Sequence, residues 1–453
     1  MTITEAVSAL SASFSGQLVD PAHAAYDEVR RVHNGLIDRR PALVARCHGA
    51  ADVADAVKLA RDASLEIAVR GGGHNVAGRA TIDGGLMIDL APMKGVLVYP
   101  KGRVAHAQGG VLWKELNRET QLHGLATTGG VIGTTGVAGL TLGGGLGWLM
   151  PKYGLALDNL RSAELVMADG SVRRASQSDD PDLFWAIRGG GGNFGIVTSF
   201  EFNLHQVGPM ITGGLVAHPL PRARDVLKLY RDTCAKAPDE LMLVAGLLFA
   251  PDGSGNKIAG IVAAHCGSPQ DGEAAVRPLK AFGPPVMDVM GPIPYVAQNS
   301  MLDASYPRGA LNYWKANFVT DLSDASIEAI VSGFEACELP MSQIIIEHFH
   351  GAASRVPVAD TACALRVDGF NVVVISQWLE PKDTERGTTW CRNTYSSLAP
   401  FFAKTRYVNY LEDDAPGDSA AGVYGPNYPR LRQLKAKYDP DNVFHQNVNI
   451  LPK

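Results

Sequence analysis

The grouping of glycine in the first half of the chain constrains the fold most strongly. A short apolar run at 67–69 leads into a turn made of Arg70, Gly71, Gly72, Gly73, His74, Asn75 and Gly78. A second apolar run at 86–90 follows, with no helical pattern between the two. Adjacent glycines let backbone N–H groups converge on one point and let a ligand approach the chain closely. The turn is therefore predicted to bind a diphosphate, with His74 at its mouth.

A second glycine-rich segment spans 127–148. Glycine is the poorest helix former after proline, so the segment is predicted to be largely irregular and held in place by a ligand. Its backbone can form another wall of the same site. The candidate contacts are Thr135, Gly136, Gly139, Gly143, Gly144 and Gly145.

A third run contains a formal G-x-G-x-x-G at Gly190, Gly192 and Gly195. A dinucleotide fingerprint should follow a strand and open a helix. Here the predicted order is reversed, because a short helix at 181–188 precedes the run and a β-rich segment at 196–204 follows it. The context therefore argues against a Rossmann site.

Length and composition exclude several classes of protein. At 453 residues the chain should form two or more domains, and its net charge of −5 with no basic block gives no support for nucleic-acid binding. The six cysteines form no C-x-x-C pair, which favours free thiols in a reducing compartment. No signal peptide is evident, and the longest apolar run, 241–250, is about half of a membrane helix. We therefore expect a cytoplasmic protein with no membrane or nucleic-acid partner.

The pattern changes near residue 208. Residues 1–40 are polar and predicted to be loosely helical, and 160–167 with 172–175 should form a β-hairpin. From 209 to 400, predicted strands alternate with amphipathic helices, which indicates an α+β domain with a mostly antiparallel sheet. The predicted strands are 215–217, 241–249, 258–264, 314–319, 344–348 and 372–378. The predicted helices are 222–237, 270–282, 323–337 and 384–399.

Four motifs occur in order along the chain. They are R-G-G-G-H at 70–74, G-L-T-L-G-G-G-L-G at 139–147, K-Y-G-L-A-L-D-N at 152–159, and Y-D-P-D-N-V-F at 438–444 with N-V-N-I at 447–450. Together they resemble the berberine-bridge-enzyme-like branch of the vanillyl-alcohol-oxidase flavoproteins. The resemblance covers essentially the whole chain.

The resemblance implies an α+β architecture in which a two-part FAD-binding domain of the PCMH type carries an inserted α+β substrate domain built on an antiparallel sheet. The implied boundaries are 1–207 for the first FAD segment, with its PCMH-type part at about 37–207. The substrate domain would be 208–404, and 405–453 would return to the FAD domain as a berberine-bridge-type tail. A monomer or a homodimer is expected.

The family layout also implies how FAD is held. His74 would be bonded covalently to the 8α-methyl group of FAD, which suits a neutral imidazole near pH 7. Many relatives add a second bond through a cysteine, but that position aligns with Ile132, and no cysteine lies between Cys47 and Cys234. A single tether is therefore expected. Ile196 and Val197 would contact the adenine or ribose, and Asn447 and Asn449 would lie near the isoalloxazine ring.

Hydride removal from a carbon beside O–H or N–H needs a base for the heteroatom proton. Tyr410 is the first candidate, because related enzymes carry a tyrosine in a matching motif. Its pKa, ordinarily near ~10, would need a cation such as Lys152 or Arg406 to lower it. Glu347 and His348 are the second candidates. Strand alternation puts Glu347 and Phe349 on one face and His348 and His350 on the other, and no metal site is expected there.

Four further residues are plausible substrate contacts: Tyr306, Trp314, Asn317 and Trp378. The predicted function is an FAD-dependent oxidase of a small or medium organic molecule, such as a sugar, an alkaloid or another natural product, with O2 as acceptor and H2O2 as product. Two alternatives are a dehydrogenase of the same fold with another acceptor, and a non-catalytic drug-binding protein. The residue aligned at the position that controls O2 access is Thr135.

Overall fold

The structure is a computed structural model that describes residues 7, 14–412 and 420–453. Its α-helices there span Tyr26–Val29, Ala50–Asp62, Trp113–Gln121, Val137–Gly143, Met150–Tyr153, Pro181–Ile187, Ala223–Cys234, Pro269–Ala281, Tyr295–Ser300, Asp324–Glu335, Ala352–Arg355, Thr384–Leu398, Ala420–Tyr424 and Tyr428–Tyr438. No helix in these ranges is both long and apolar enough to cross a membrane.

Two sheets form the first part of the molecule. The strands of the first are β1 (Gln17–Val19), β2 (Leu43–Arg46), β3 (Ile67–Arg70) and β4 (Leu86–Asp89). Those of the second are β5 (Val96–Tyr99), β6 (Val104–Gln108), β8 (Leu160–Val166), β9 (Val172–Ser176) and β10 (Ile196–Asn203). The short strand β7 (Leu125–Ala126) does not belong to either sheet. The first sheet has the order β1-β2-β4-β3, and β4 is parallel to both β2 and β3. The second has the antiparallel order β5-β6-β10-β8-β9.

The predicted hairpin at 160–175 is confirmed as β8 and β9. The prediction of loose helix over 1–40 is wrong at 17–19, where β1 pairs with β2. Most of residues 1–13 lie outside the described part of the chain.

A third sheet builds the second part. After β11 (His205–Gln206), which pairs with β7, it contains β12 (Met210–Pro219), β13 (Leu241–Phe249), β14 (Lys257–His265), β15 (Met287–Asp288), β16 (Gly291–Pro294), β17 (Leu311–Val319), β18 (Gln343–Phe349) and β19 (Gly369–Trp378). Its order is β15-β12-β14-β13-β18-β19-β17, with β16 also on β12, and its pairs are antiparallel. The predicted antiparallel α+β domain is confirmed.

The long apolar strands of this sheet are explained by burial on both faces. In β13, Leu243 and Ala245 pack into the core formed with the helices, whereas Met242 and Val244 pack into a second core on the opposite face. A strand buried on both faces reads as a continuous apolar run instead of an alternating one. The helices show the complementary pattern. Asp324–Glu335 begins after Ser323, whose side chain accepts the Ser326 N–H, and its buried residues recur at helical spacing.

The C-terminal tail packs against the first part of the chain. Lys435 is fully buried, and its ammonium group donates to Asp439 at 2.6 Å, to the Asn193 carbonyl at 2.7 Å and to the Phe444 carbonyl at 2.9 Å. Asp439 also accepts the backbone N–H groups of Val443 and Phe444. This network fixes the tail beside the third glycine run. Boundaries near 207 and 405 are what we propose for the inserted domain.

Candidate active site

One cavity of about 270 Å³ lies where the glycine runs, the tail and the third sheet meet. This volume is slightly below the range of small-molecule sites, which begins at about 300 Å³. Its lining comes mainly from 67–80, 130–146, 191–197, 408–410 and 444–448, with His33, Leu90, Tyr306, Trp314 and Tyr424. Segments far apart in sequence therefore share one site.

The first wall is the glycine turn after β3. Gly71, Gly72, Gly73, His74 and Asn75 all line the cavity, whereas Gly78 does not. Glycine is required at Gly72 because a Cβ there would lie 2.4 Å from the backbone nitrogen of Gly136. The first two glycine runs thus meet backbone to backbone.

The structure corrects the role expected for Arg70. Its guanidinium is buried behind the turn and pairs with Asp89 of β4 at 2.9 and 2.6 Å, and it also donates to the Arg31 carbonyl at 2.8 Å. Arg70 does not line the cavity. It fixes the point from which the glycine turn starts.

His74 is held on two sides. Its Nε2 lies 2.9 Å from the Thr134 hydroxyl, and its ring stacks on His33 at a centroid distance of 3.9 Å. Burial lowers the pKa of His74 to about 3, and His33 contributes in the same direction. Burial likewise lowers the pKa of His33 to about 4. Both rings are therefore neutral at pH 7, and nothing in the sequence near His74 indicated His33 or Thr134 as its neighbours.

The second glycine segment is largely irregular as predicted, but Val137–Gly143 within it forms a helix that was not predicted. Val137, Thr141 and Leu142 are buried, and this packing outweighs the low helix propensity of the glycines. Thr135, Gly136, Gly139 and Gly143 line the cavity as predicted contacts. A Cβ on Gly139 would meet nothing within 4 Å, so this residue faces open space.

Gly144 and Gly145 do not reach the cavity and are corrected as candidate contacts. The Gly145 N–H donates to the Tyr407 hydroxyl at 2.9 Å, and the Leu146 N–H donates to the same oxygen at 3.2 Å. A Cβ on Gly144 would lie 2.8 Å from the Tyr407 ring. The absence of side chains at these glycines lets the Tyr407 ring pack against the backbone in place of a ligand.

The third glycine run lines the cavity although it is not a dinucleotide fingerprint. It follows the helix Pro181–Ile187 and precedes β10, so the exclusion of a Rossmann fold agrees with the observed order. Nevertheless Gly191, Gly192 and Gly195 join the predicted contacts Ile196 and Val197 in the lining. The sequence argument rejected the motif and so did not predict that its glycines line the site.

The tail supplies one of its two predicted contacts. Asn447 lines the cavity, together with Gln446 and Val448, whereas Asn449 does not. The Asn449 side-chain oxygen is buried and has no hydrogen-bond partner among the described residues.

The opposite end of the cavity meets the third sheet at Tyr410. The Tyr410 hydroxyl donates to a Glu347 carboxylate oxygen at 3.2 Å, and the Asn371 amide donates to the other oxygen at 2.7 Å. Burial raises the pKa of Glu347 to about 7, although both hydrogen bonds act to lower it. Glu347 lies behind Tyr410, which is the residue that lines the cavity.

Two expectations about this end are wrong. Burial and the nearby Glu347 raise the pKa of Tyr410 well above its ordinary value instead of lowering it. Lys152 pairs with Glu240 at 3.4 Å, and Arg406 donates to the Tyr395 hydroxyl. Neither contact involves Tyr410.

His348 points away from the cavity and is corrected as a catalytic candidate. It lies on the helix-facing side of β18, stacked between His350 and Phe370 at centroid distances of 4.0 and 5.2 Å. Strand alternation sends Glu347 to the other side, as the pattern indicated. No cluster of metal-ligating side chains is found among the described residues.

The four suggested substrate contacts divide equally. Tyr306 and Trp314 line the cavity. Asn317 instead donates to the Tyr395 hydroxyl, and Trp378 packs in the helix-side core with its indole N–H on Thr384. Alternation along β17 explains part of this result, because Trp314 and Asn317 are an odd number of residues apart.

The cavity suits FAD by two features of the structure. Glycine backbone lines it from three separate runs, and the open space at Gly139 is one that a side chain would fill. At the same time the neutral imidazole of His74 forms part of the wall. A nucleotide cofactor needs close backbone approach at its phosphates, and these walls provide it.

Comparison with known proteins agrees with this geometry. Residues 41–176 match the FAD binding domain family, and residues 406–451 match the berberine and berberine-like family. Both ends of the chain that build the cavity are therefore recognised independently.

Whole-chain relatives are also found. The chain is 31% identical to (R)-6-hydroxynicotine oxidase of Paenarthrobacter nicotinovorans, over 97% of this chain and 98% of that protein. Its structure is similar to 6-hydroxy-D-nicotine oxidase from Arthrobacter nicotinovorans, with a TM-score of 0.88, 29% identity, and coverage of 97% and 99%. It is also similar to glucooligosaccharide oxidase from Acremonium strictum, described with a 6-S-cysteinyl, 8α-N1-histidyl FAD, with a TM-score of 0.87, 26% identity and 99% of each chain covered.

Proposed function

Since the chain belongs to the berberine-type FAD-linked oxidoreductases, we propose that it is an oxidase that removes a hydride from a carbon next to an O–H or N–H group of a small or medium organic substrate and gives the electrons to O2. The hydrogen-bonded pair of Tyr410 and Glu347 at the end of the FAD cavity carries this proposal. Bound FAD would supply the hydride acceptor and the route of the electrons to O2.

The cofactor's phosphates would be held by backbone N–H groups rather than by cations. The glycine turn at 71–75 and the run at 135–143 supply two walls, and 191–197 with Asn447 supplies a third. In an enclosed site, fixed N–H dipoles stabilise negative charge without needing to reorganise.

We propose His74 as the single covalent anchor. His74 Nε2 is hydrogen-bonded to the Thr134 hydroxyl, and Nδ1 has no hydrogen-bond partner among the described residues. Nδ1 is therefore the nitrogen available to form the covalent bond to FAD. The related oligosaccharide oxidase carries a histidyl and a cysteinyl bond, but this chain has Ile132 where the cysteine would align. All six cysteines are free thiols, and none lines the cavity in the described chain.

Tyr410 and Glu347 would remove the heteroatom proton together. Tyr410 faces the cavity and can accept a proton from the substrate while it passes its own to Glu347. A carboxylate with a pKa of about 7 is suited to this role, because a general base works best when its pKa is near the working pH. Tyr410 alone, with its raised pKa, is a poor base at neutral pH.

O2 is the proposed acceptor, with Thr135 beside the cofactor as the residue that admits it. The six free thiols favour a reducing compartment, so we propose a cytoplasmic location.

The test is an anaerobic screen in which alcohols, amines and sugars are added to the yellow protein while flavin absorbance is followed. Bleaching by a substrate, then recovery in air with stoichiometric H2O2, is expected. Recovery only with an added dye acceptor would favour a dehydrogenase, and no bleaching by any compound would contradict the proposed activity. Acid precipitation should leave the flavin in the pellet, whereas a colourless pellet would contradict the covalent anchor.

A further inference from the structure

The end of the cavity that faces the third sheet is built almost entirely from apolar and aromatic side chains. Tyr306, Val373 and Ile375 form one buried cluster, and it is completed by Ile132, Leu302, Trp314, Ala316, Ile345 and Tyr410. Three aromatic rings form a row, in which the Trp314 ring lies between the other two. The ring centroids are 5.9 Å apart for Tyr306 and Trp314 and 6.2 Å apart for Trp314 and Tyr410. We call Tyr306, Trp314 and Tyr410 the aromatic end.

Few polar groups at the aromatic end remain available to a ligand. The Trp314 indole N–H donates to Asn312 at 3.3 Å, and its backbone N–H donates to Glu412 at 3.0 Å. The Tyr410 hydroxyl is engaged by Glu347. The Tyr306 hydroxyl has no hydrogen-bond partner among the described residues, and Tyr306 lines the cavity. Two phenols are therefore the hydrogen-bonding groups presented here.

Fixed charge is also scarce at this end. Of the described residues that line the cavity, only Arg79 is permanently charged. Arg79 interacts electrostatically with Tyr424, whose hydroxyl donates to the Val448 carbonyl of the C-terminal tail. This charge therefore lies on the side of the tail. A charged substrate group placed against the aromatic end would lose its water without gaining a counter-ion, apart from the carboxyl behind Tyr410. A sugar would leave several hydroxyl groups unpaired, and each buried unpaired group is unfavourable.

We infer that the aromatic end selects an uncharged, ring-containing and mainly apolar alcohol or amine and discriminates against oligosaccharides. The ring of the substrate packs against Trp314, and its heteroatom is oriented between the hydroxyls of Tyr306 and Tyr410. This inference rests on the proposed function, since it names the substrate class of the same site. Flat apolar faces with a few placed polar groups are what small-molecule sites use for affinity and orientation.

The test compares three uncharged probes on the FAD-loaded protein: 1-indanol, indane, which is the same ring system without the hydroxyl, and xylobiose. Anaerobic titration with each probe is followed by the perturbation of the flavin absorbance. We expect 1-indanol to bind at least about tenfold more tightly than xylobiose, and Trp314→Ala to remove most of that difference.

Tyr306→Phe tests orientation, because it deletes only the hydroxyl. It should reduce the preference for 1-indanol over indane, because the Tyr410 hydroxyl then remains as the one phenol that can bind the alcohol. The matched control is Tyr295→Phe, since Tyr295 is a fully buried tyrosine whose hydroxyl has no partner among the described residues and which does not line the cavity. The control should keep the preference.

Each outcome bears on one proposal. Xylobiose binding as tightly as 1-indanol, binding of neither probe, or an unchanged preference in Tyr306→Phe would overturn the inferred substrate class. Bleaching of the flavin by xylobiose would overturn it as well, while leaving the proposed oxidation intact. If ring-containing probes bind as expected and no alcohol or amine of that class bleaches the flavin, the class of ligand stands and the proposed oxidation fails.

Discussion

Glu347→Gln gives the sharpest prediction, because it removes a single charge from a fully enclosed position. The carboxyl is buried and its pKa is raised from 4.5 to about 7. A group whose pKa is raised on folding stabilises the protein fully below its ordinary pKa, and this contribution is lost as pH rises through the raised value. The wild-type protein should therefore lose stability between pH 4.5 and about pH 7, and glutamine should not.

The size of this effect follows from the two pKa values. At about 1.4 kcal/mol for each tenfold change in proton affinity, the whole loss is about 3 kcal/mol. Between about pH 5.5 and about pH 8 the free energy of unfolding of the variant should rise by about 2 kcal/mol relative to wild type. Urea unfolding of the FAD-loaded proteins at both pH values, followed by tryptophan fluorescence, measures this difference without any knowledge of the substrate.

The same substitution should slow catalysis. Loss of a general base lowers the rate of flavin reduction by about 10²–10⁴-fold, and the rise of that rate with pH through about 7 should disappear. Anaerobic stopped-flow measurement of flavin bleaching, with any compound that the screen identifies, tests this point.

The control is Glu201→Gln. Although burial acts to raise the pKa of Glu201, the Ser162 hydroxyl and nearby cations lower it, so its contribution to stability is lost as pH falls. Because this loss occurs only as pH falls below the ordinary pKa of 4.5, Glu201→Gln and wild type should differ in stability by nearly the same amount at about pH 5.5 and about pH 8. If Glu347→Gln and wild type differ in stability by the same amount at both pH values, the carboxyl does not have a raised pKa and the argument for Glu347 as the base fails.

Three further predictions concern other contacts. The Thr134 hydroxyl orients the His74 ring, so Thr134→Val should slow covalent attachment of FAD by roughly tenfold, whereas Thr134→Ser should keep the wild-type rate. Flavin fluorescence of acid-precipitated protein, followed over time, measures the rate of attachment. Attachment at the wild-type rate in Thr134→Val would contradict this role. Lys435→Met should lower the free energy of unfolding, measured in urea, by about 3–5 kcal/mol because it leaves the buried Asp439 carboxylate without its cation. The control Lys437→Met breaks an exposed ion pair and should lower the free energy of unfolding by less than about 1 kcal/mol. Equal losses in the two variants would show that burial of the ion pair is not important. Gly139→Leu should reduce the FAD content of the purified protein because its side chain enters the cavity, and unchanged FAD content would show that this space is not used.

The buried ion pairs explain how separate segments are held in register. Arg366 pairs bidentately with Asp158 at 2.8 Å for each bond and also donates to the Ala353 carbonyl and the Thr361 hydroxyl. Asp158 belongs to the third motif, and Arg366 lies between β18 and β19 of the third sheet. A planar guanidinium fixes a carboxylate more precisely than an ammonium group does, so this contact orients the two parts relative to each other.

Local patterns were sufficient for most elements. The strand predicted at 241–249 has the observed bounds, Leu241–Phe249, because a run of apolar residues has few other ways to be buried. The helices predicted at 323–337 and 384–399 are observed as Asp324–Glu335 and Thr384–Leu398. The glycine turn was recognisable for a similar reason, since only glycine permits close backbone contact at Gly72.

Local patterns failed where packing overrides propensity. The helix Val137–Gly143 forms in a glycine-rich segment because its apolar residues are buried against neighbours that are distant in sequence. Arg70 was predicted to contact a ligand, but its partner, Asp89, reaches it only through the pairing of β3 with β4. A charge partner across a sheet leaves no local signal.

By itself, then, the sequence determined the family, the antiparallel sheet of the second part, the glycine walls of the cavity and His74 as the candidate anchor, because backbone freedom and hydrophobic period are properties of consecutive residues. Only the tertiary structure decided that His33 and Thr134 hold the anchor, that Glu347 stands behind Tyr410 while His348 faces the helices, and that aromatic rings close the cavity. These relations join residues that strand pairing and core packing bring together, and a carboxyl acquires its pKa of about 7 only when the completed fold removes it from water.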